Sequence, residues 1–209
     1  MYLLSDELWF PPIEEASKDG LLAIGGDLSP ERLKLAYSKG IFPWFSDGDP
    51  IVWYSPDPRM VLFPSRLKVS KSMRQVIRKG TFKATFNTEF KTVIARCRTV
   101  KRSGEVGTWI TDEMEQAYIK LHELGMAKSV EVWQDNELVG GLYGVDLGTV
   151  FCGESMFSKV SNASKFGLVF LVELLKREKY KILDCQVYND HLASLGAEEI
   201  SRIEFLKYI

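Results

Sequence analysis

A carboxylate and an amide, Asp184 and Gln186, stand two residues apart in the apolar stretch 181–187. The stretch predicts a short interior β-strand, in which alternate side chains point to the same face of the sheet. Asp184 and Gln186 then share one face, whereas Leu183 and Cys185 share the other. A buried carboxylate without a partner costs several kcal/mol, so Asp184 must have partners or lie at a cavity. The pair is therefore a candidate functional site.

Other kinds of catalytic centre have little support in the sequence. The two histidines and three cysteines show no spacing typical of metal ligands, so we expect no metal. Cys185 and His191 could in principle form a nucleophilic pair. Cys185 points away from Asp184, however, and a buried structural thiol is the better interpretation. The cysteines are odd in number and far apart, which indicates reduced thiols in a cytoplasmic protein.

Length, composition and charge limit the remaining possibilities. The chain has 209 residues, 45% of them hydrophobic, which suffices for one core with or without a small accessory lobe. A formal net charge of -1 argues against wholesale coating of nucleic acid and leaves room for a local basic stripe. The N-terminus has no signal-peptide pattern, and no apolar run is long enough to span a membrane.

The residues around the Asp184 strand predict an α+β fold. Residues 129–134, 137–145 and 149–154 alternate as three strands joined by tight turns, which form an antiparallel meander. Gly140 and Gly141 in the middle strand indicate a bulge or the close approach of another backbone. A helix over residues 163–177, capped by Asn162, precedes the Asp184 strand. This is the core order of the acetyltransferase-like (GNAT) fold, but the loop at 155–162 lacks that family's Gln/Arg-x-x-Gly-x-Gly/Ala pattern for binding coenzyme A.

The N-terminal part has a different composition. Prolines and aromatic residues are concentrated before residue 60, which predicts a small rigid lobe over residues 1–59 and a catalytic domain over residues 60–209. Further helices are expected after Ser29, Ser70, Asn87 and Thr111, each of which has a side chain suited to an N-cap.

A basic stripe lies on the helix after Ser70. Lys71, Arg74 and Arg78 are spaced three and four residues apart, which places them on one exposed face, and Lys79 lies at its end. Such a stripe is either an ordinary solvated helix face or a ridge that contacts phosphates.

Seven motifs in the same order resemble the leucyl/phenylalanyl-tRNA–protein transferases, from about Gly20 to the end of the chain. They are residues 40–45 (GIFPWF), 53–59 (WYSPDPR), 107–111 (GTWIT), 153–158 (GESMFS), 162–165 (NASK), 184–186 (DCQ) and 193–197 (ASLGA). The resemblance implies a small N-terminal lobe, a GNAT-like catalytic domain and a cytoplasmic monomer.

It also implies transfer of Leu, Phe or, less well, Met from aminoacyl-tRNA to proteins that begin with Arg or Lys, which marks them for degradation. Because the donor ester is already activated, we expect no cofactor, and positioning matters more than a strong base.

Given this resemblance, site residues can be assigned to roles. We expect Asp184 to accept a hydrogen bond from the Gln186 amide or from groups beside it, and Gln186 to direct its carbonyl oxygen at the acceptor's α-amino group. A pair that only satisfies nearby backbone groups is the alternative. Glu154, expected at the end of a neighbouring strand, is the best carboxylate for binding the acceptor's cationic N-terminal residue.

The remaining roles concern the tRNA. Trp44 and Trp109 are expected to stack on the terminal adenine, and the basic stripe of Lys71, Arg74, Arg78 and Lys79 to contact the acceptor-stem backbone. The pocket for the donor side chain is expected to be lined by adaptable or flat apolar residues, each of which could equally belong to the core: Tyr118, Leu142, Phe151, Met156, Phe170 and Leu171.

Two rival functions stay open at this stage. One is a small-molecule N-acyltransferase that uses coenzyme A, which the sequence at 155–162 disfavours. The other is a non-catalytic tRNA-binding module, which has no reason to place Asp184 and Gln186 on one face.

Overall fold

The computed structural model describes residues 1–100 and 109–209. The charged turn expected at residues 101–105, and the first two residues of the motif at 107–111, lie outside the described residues.

The N-terminal part forms a small sheet. Within the described residues it has four strands in the order β1-β2-β4-β3, with β1 parallel to β2 and the other pairs antiparallel. Their bounds are β1 Tyr2–Leu4, β2 Leu21–Gly25, β3 Phe42–Pro43 and β4 Val52–Tyr54. Helix α1, Pro30–Tyr37, connects β2 to β3. It begins as expected, since the Ser29 hydroxyl accepts the Arg32 N–H.

The rest of the chain builds a larger mixed sheet. Its order among the described residues is β11-β5-β10-β9-β8-β7-β6. The bounds are β5 Arg59–Leu62, β6 Lys83–Phe86, β7 Ala127–Gln134, β8 Glu137–Asp146, β9 Val150–Ser158, β10 Ile182–Gln186 and β11 Glu198–Ile200. The predicted meander is β7-β8-β9, and the predicted interior strand is β10, which lies between β5 and β9.

Helices cover both faces of this sheet. Their bounds are α2 Lys71–Lys79, α3 Phe90–Thr99, α4 Asp112–Glu123, α5 Ala163–Arg177, α6 Asp190–Ser194 and α7 Arg202–Phe205. Apolar residues of α3 and α4 pack in one core cluster, and those of α5 pack in another with Val130 and Leu142 of the meander. The sheet is thus a layer between α3 and α4 on one side and α5 on the other, which confirms the α+β class and the meander–helix–strand order.

The predicted helix starts are partly right. Ser70 and Thr111 cap α2 and α4, because their hydroxyls accept the N–H groups of Met73 and Met114. Asn87 was expected to cap α3, but that helix begins two residues later with Glu89 at its N-cap.

Asn162 holds the expected cap position of α5, but its side chain makes no capping hydrogen bond. Gly140 shows both features that the Gly140-Gly141 pair predicted, a bulge and the close approach of another backbone. A register shift lies beside it, and a Cβ there would come within 3.2 Å of the backbone carbonyl carbon of Ala163 at the start of α5.

One apolar core is continuous from the small sheet into the large one. It includes Trp53 of β4, Val61 of β5 and Phe90 of α3. The division into residues 1–59 and 60–209 therefore stays a prediction, although β5 begins at Arg59.

Candidate active site

Strands β9 and β10 pair in parallel only over their first halves. The register runs from Ile182 opposite Val150 to Asp184 opposite Cys152, where the pairing ends. Each strand has one extra residue just beyond this point. Glu154 is unpaired between two rungs of β9 with β8, and Cys185 is unpaired between two rungs of β10 with β5. Because a bulge bends and twists its strand, the two strands separate and a cavity opens between them.

The bulge in β9 has a local cause in β8. A Cβ at Gly144, which pairs with Gly153, would lie 2.2 Å from the Cys152 carbonyl oxygen and 2.4 Å from the Phe151 ring. Glycine at this position allows the bulged strand to approach β8 closely, which places Glu154 at the opening.

The cavity has a volume of about 510 Å³. Residues 153–156 of β9 line one side and residues 183–186 of β10 line the other. Residues 42–44, Trp109, residues 187–189, His191 and Leu192 complete its walls, with Leu142, Leu168 and Leu171 at its apolar part. The Asp184–Gln186 pair therefore lies at a cavity, which is one of the two arrangements expected from the cost of burying a carboxylate.

Asp184 is fully buried and forms an ion pair with Arg59. The Arg59 Nε donates to Oδ1 at 2.8 Å and Nη2 donates to Oδ2 at 2.7 Å, which is a two-point contact. Arg59 also donates to the Gly40 carbonyl at 3.1 Å, and its guanidinium lies over the rings of Phe42 and Phe205. This one side chain connects β5, β3, α7 and β10.

Gln186 is held in place by hydrogen bonds from its backbone N–H and from its side-chain amide. Its backbone N–H donates to Asp184 Oδ1 at 2.9 Å, and its φ of 65° lies in the left-handed region at the end of the bulge. Its side-chain Nε2 donates to Glu154 Oε1 at 3.0 Å. The expected donation from the side-chain amide to Asp184 is thus wrong. Asp184 instead accepts hydrogen bonds from groups beside that amide, which are the Arg59 guanidinium and the Gln186 backbone N–H.

Glu154 is surrounded by neutral donors. Besides the Gln186 amide, Oε1 accepts the Tyr37 hydroxyl at 2.8 Å and Oε2 accepts the Tyr118 hydroxyl at 3.2 Å. The two hydroxyl oxygens also contact each other, so their two protons are shared among three contacts. Burial raises the pKa of Glu154 to about 7; the Tyr37 bond opposes the shift and Asp184 adds to it. The expectation that Glu154 ends its strand is wrong, because β9 continues to Ser158.

The residues expected to form the side-chain pocket divide into two groups. Leu142, Met156 and Leu171 line the cavity. Phe151 and Tyr118 are buried and belong to the core clusters behind it. Phe170 lines a separate groove between α2 and α5. Sequence reasoning missed three leucines that contribute to the same wall, Leu168, Leu183 and Leu192.

Both tryptophans expected to stack on adenine line the cavity. Trp44 follows β3 and is 44% exposed, which leaves much of its ring face open, and Trp109 is half-buried. Trp53, in contrast, is fully buried, and its Nε1 donates to the Gly25 carbonyl at 2.9 Å, as befits a core residue.

The basic stripe lies away from the cavity lining. Lys71, Arg74, Arg78 and Lys79 are all exposed on α2. Ile77 of the same helix is 39% exposed. It lines the groove of about 700 Å³ between α2 and α5.

Cys185 and His191 both line the cavity, but the thiol is not equipped as a nucleophile. Burial raises the pKa of Cys185, Asp184 raises it further, and Sγ contacts the Leu183 carbonyl at 3.7 Å. Burial and Lys165 lower the pKa of His191. Within the described ranges, no three His, Cys, Asp or Glu side chains are grouped as metal ligands would be.

Two residues that organise the site escaped the sequence reasoning. Arg59 lay at the expected domain boundary and Tyr37 in the buried stripe of α1. The signal for Arg59 was present, since a buried carboxylate on an interior strand requires a cation or several donors. No local pattern identified which of the many basic residues would supply it.

No helix in the described parts of the chain combines the length and apolar character that a membrane span requires.

Comparisons with known families cover nearly the whole chain. A sequence model described as "Leucyl/phenylalanyl-tRNA protein transferase" matches residues 61–209, and one described as the N-terminal domain of the same proteins matches residues 26–57. Among solved structures, a GCN5-related N-acetyltransferase from Kribbella flavida is 10% identical. It has a TM-score of 0.40 over 82% of this chain and 61% of that one, a likeness too weak to support an argument. The fold assignment rests on the topology above.

Relatives with the same description are similar over most or all of their length. The protein named "Leucyl/phenylalanyl-tRNA--protein transferase" from Flavobacterium johnsoniae is 63% identical over 209 residues, covering 100% of this chain and 99% of that protein. Its namesake from Christiangramia forsetii is 57% identical and covered completely. The one from Myxococcus xanthus is 52% identical, with 99% and 89% covered.

Proposed function

The chain belongs to the leucyl/phenylalanyl-tRNA–protein transferase family, and on that basis we propose its reaction and the roles of its residues. It transfers leucine or phenylalanine, and less well methionine, from aminoacyl-tRNA to the α-amino group of proteins that begin with Arg or Lys. This transfer marks the acceptor for degradation. The observation that carries the proposal is the cavity between β9 and β10, where Asp184, Gln186 and Glu154 meet an apolar wall.

The direct test is a transfer assay. The protein, leucyl-tRNA and a peptide beginning with Arg should yield a product heavier by one leucine residue, as read by mass spectrometry. The matched control is the same peptide acetylated at its N-terminus, which has no free amine and should stay unchanged. Absence of product with the free peptide would contradict the proposal.

In this reaction Gln186 orients the attacking amine. Its Nε2 is engaged by Glu154, so the amide oxygen is the atom left to accept a hydrogen bond from the amine. Asp184 holds the Gln186 backbone in place. Holding amine and ester in attack geometry can contribute about 7–11 kcal/mol to the lowering of the barrier. Folded Gln186→Ala and Asp184→Ala variants with an undiminished transfer rate would contradict these roles.

The donor side chain occupies the apolar wall. Leu142, Met156 and Leu171 support this role by their position, together with the leucines beside them. Unbranched and γ-branched chains suit a wall of leucine and methionine, because these flexible residues adapt to the ligand's shape. Support for the expected pocket is limited to these positions, since Tyr118 and Phe151 lie behind the cavity and Phe170 lies outside it.

Trp44 and Trp109 provide faces on which the terminal adenine stacks. The exposed α2 stripe contacts the tRNA backbone, and such contacts weaken as salt rises. The triple variant Lys71→Gln/Arg74→Gln/Arg78→Gln should reduce the slope of log affinity against log salt by about 2 to 3. The matched control changes three exposed basic residues elsewhere, Lys176, Arg177 and Lys179, to Gln. Equal slopes for both triple variants would contradict the tRNA role.

Glu154 binds the cationic N-terminal residue of the acceptor. It lines the cavity, and Oε2 accepts one tyrosine hydroxyl, which leaves that oxygen capacity for a further donor. Glu154→Gln should raise KM for peptides that begin with Arg or Lys. An unchanged KM would contradict this binding role.

A further inference from the structure

Two carboxylates line the cavity, and their surroundings suit them to opposite tasks. Both oxygens of Asp184 are bound to Arg59, and Oδ1 also accepts the Gln186 backbone N–H. A carboxylate held at two points by a buried guanidinium is fixed in position and suited to orienting its neighbours. Glu154 is bonded only through neutral groups in the described structure, two hydroxyls and one amide. Neutral donors allow either protonation state of the carboxyl.

We propose that Glu154 carries the proton that the attacking amine loses and returns it to the leaving ribose oxygen. The inference rests on the proposed function. The acceptor's neutral α-amine attacks the ester carbonyl carbon, the C–N bond forms, and the surplus N–H proton moves to the Glu154 carboxylate. The C–O bond of the ester then breaks, and the ribose oxygen takes the proton from the Glu154 carboxyl. Amine and ester become amide and alcohol, and Glu154 ends as it began.

The position of Glu154 supports this role. Gln186 Nε2 donates to Glu154 at 3.0 Å, so an amine bound to the oxygen of the same amide group lies beside the carboxylate. An amide is too weak a base to keep a proton, whereas a carboxylate in the same hydrogen-bonded unit can receive it. Glu154 is also partly open to the cavity, which gives the substrate direct access.

The acidity of Glu154 fits the same task. Burial raises its pKa to about 7, against the opposing effect of the Tyr37 bond and with a further increase from Asp184. Near neutral pH a carboxyl with this pKa is populated in both its charged and its neutral form, as a group that first takes and then returns a proton must be. A proton carrier works best when its pKa lies near the operating pH.

Tyr37 and Tyr118 act as positioning residues for Glu154. Both hydroxyls bond the carboxylate, both are fully buried, and neither lines the cavity. They come from α1 and α4, so each can be changed without removing a contact to substrate. The titratable or charged groups that face this cluster, from each element packed against it, are Arg59, Tyr143, Cys152, Asp184 and, across the cavity, His191.

The test is the pH profile of single-turnover transfer at saturating acceptor, for the unaltered protein, Tyr37→Phe and Tyr118→Phe. Each variant removes a donor that stabilises the Glu154 carboxylate, so the acidic limb near pH 7 should move up by about one pH unit. The amine's own titration is common to all three and stays in place. The matched control is Tyr180→Phe, since Tyr180 bonds Asp146 instead, and its profile should coincide with that of the unaltered protein.

Glu154→Gln should lower the single-turnover rate about 100-fold or more and abolish the limb near pH 7. The binding role of Glu154 is read separately, from KM. Thermal unfolding establishes whether each variant is folded. If only one of the two tyrosine variants is folded, that variant alone suffices for the test. The proton role alone is overturned if the acidic limb of the pH profile stays in place in the folded tyrosine variants, or if that limb persists in Glu154→Gln. Absence of transfer by the unaltered protein at every pH would overturn the proposed function with it.

Discussion

The ion pair between Arg59 and Asp184 is buried deeply enough for a large stability effect. Arg59 is 1% exposed and Asp184 is 0% exposed, so solvent screens neither charge. In Arg59→Met the carboxylate keeps only the Gln186 N–H among the hydrogen bonds described above. Leaving one charge of such a pair unpaired costs about 3–5 kcal/mol, a large share of the roughly 5–15 kcal/mol that stabilise a typical protein.

Urea unfolding followed by tryptophan fluorescence measures this cost. With an m-value of about 2 kcal/mol per molar urea, the midpoint of Arg59→Met should fall by about 1.5–2.5 M. The matched control is Arg66→Met, because the ion pair of Arg66 with Glu198 is exposed, at 59% and 42% of the two side chains. An exposed pair contributes about 0–1 kcal/mol, so the control should unfold close to the unaltered protein.

The double variant Arg59→Met/Asp184→Leu separates the unpaired charge from lost packing. It removes both charges and keeps apolar volume, so it should recover most of the stability that the single variant loses. It should not recover transfer, because the group that holds the Gln186 backbone is gone. An unfolding free energy of Arg59→Met within about 1 kcal/mol of that of the unaltered protein would refute the stabilising role of the ion pair, and so would a double variant that is no more stable than the single one.

Three further changes test other parts of the structure. Glu154 has its pKa raised from 4.5 to about 7, so the folded protein binds this proton more tightly than the unfolded chain does. Its destabilising effect is absent below about pH 4.5, grows as the pH rises from 4.5 to 7, and stays at no more than about 3 kcal/mol above pH 7. The unfolding free energy of Glu154→Gln relative to the unaltered protein should therefore increase across this window, and a pH-independent difference would contradict this. Trp44→Ala should weaken aminoacyl-tRNA binding roughly 5- to 150-fold in a filter-binding titration, whereas Phe86→Ala, an exposed aromatic outside the cavity lining, should leave it unchanged. Gly144→Ala places a Cβ 2.2 Å from the Cys152 carbonyl oxygen and should lower the unfolding free energy by about 1–3 kcal/mol, whereas at Gly153 the nearest atoms lie at 3.5 Å and alanine should be tolerated.

Several features of the fold could be predicted because their causes are local. The side chains of Ser29, Ser70 and Thr111 cap helices wherever a helix follows, and the meander depends on alternating residues with turn sequences between them. The failure at Asn87 has a local reason as well. Its φ of 61° places it in a turn after β6, and α3 begins only at Phe90.

The site could be predicted only in part. Asp184 was identifiable as a charge on an interior strand, and its need for partners followed from the cost of burial. The parity of the strand suggested that Asp184 and Gln186 lie on one face and bond each other. With the bulge at Cys185 between them, the Gln186 backbone N–H bonds Asp184, whereas the side-chain amide donates to Glu154. A bulge depends on how neighbouring strands pair, and strand alternation in one segment contains no information about it.

The sequence by itself determined the α+β class, the order of the meander, α5 and β10, the family, and the presence at residue 184 of a carboxylate that requires partners. These follow from local propensity, periodicity and motif order, which are properties of contiguous segments. Only the tertiary structure decided that Arg59 neutralises Asp184 and that Tyr37 and Tyr118 surround Glu154. Those contacts join residues 36 to 125 positions apart, and burial, which raises the pKa of Glu154, exists only after the elements have packed together.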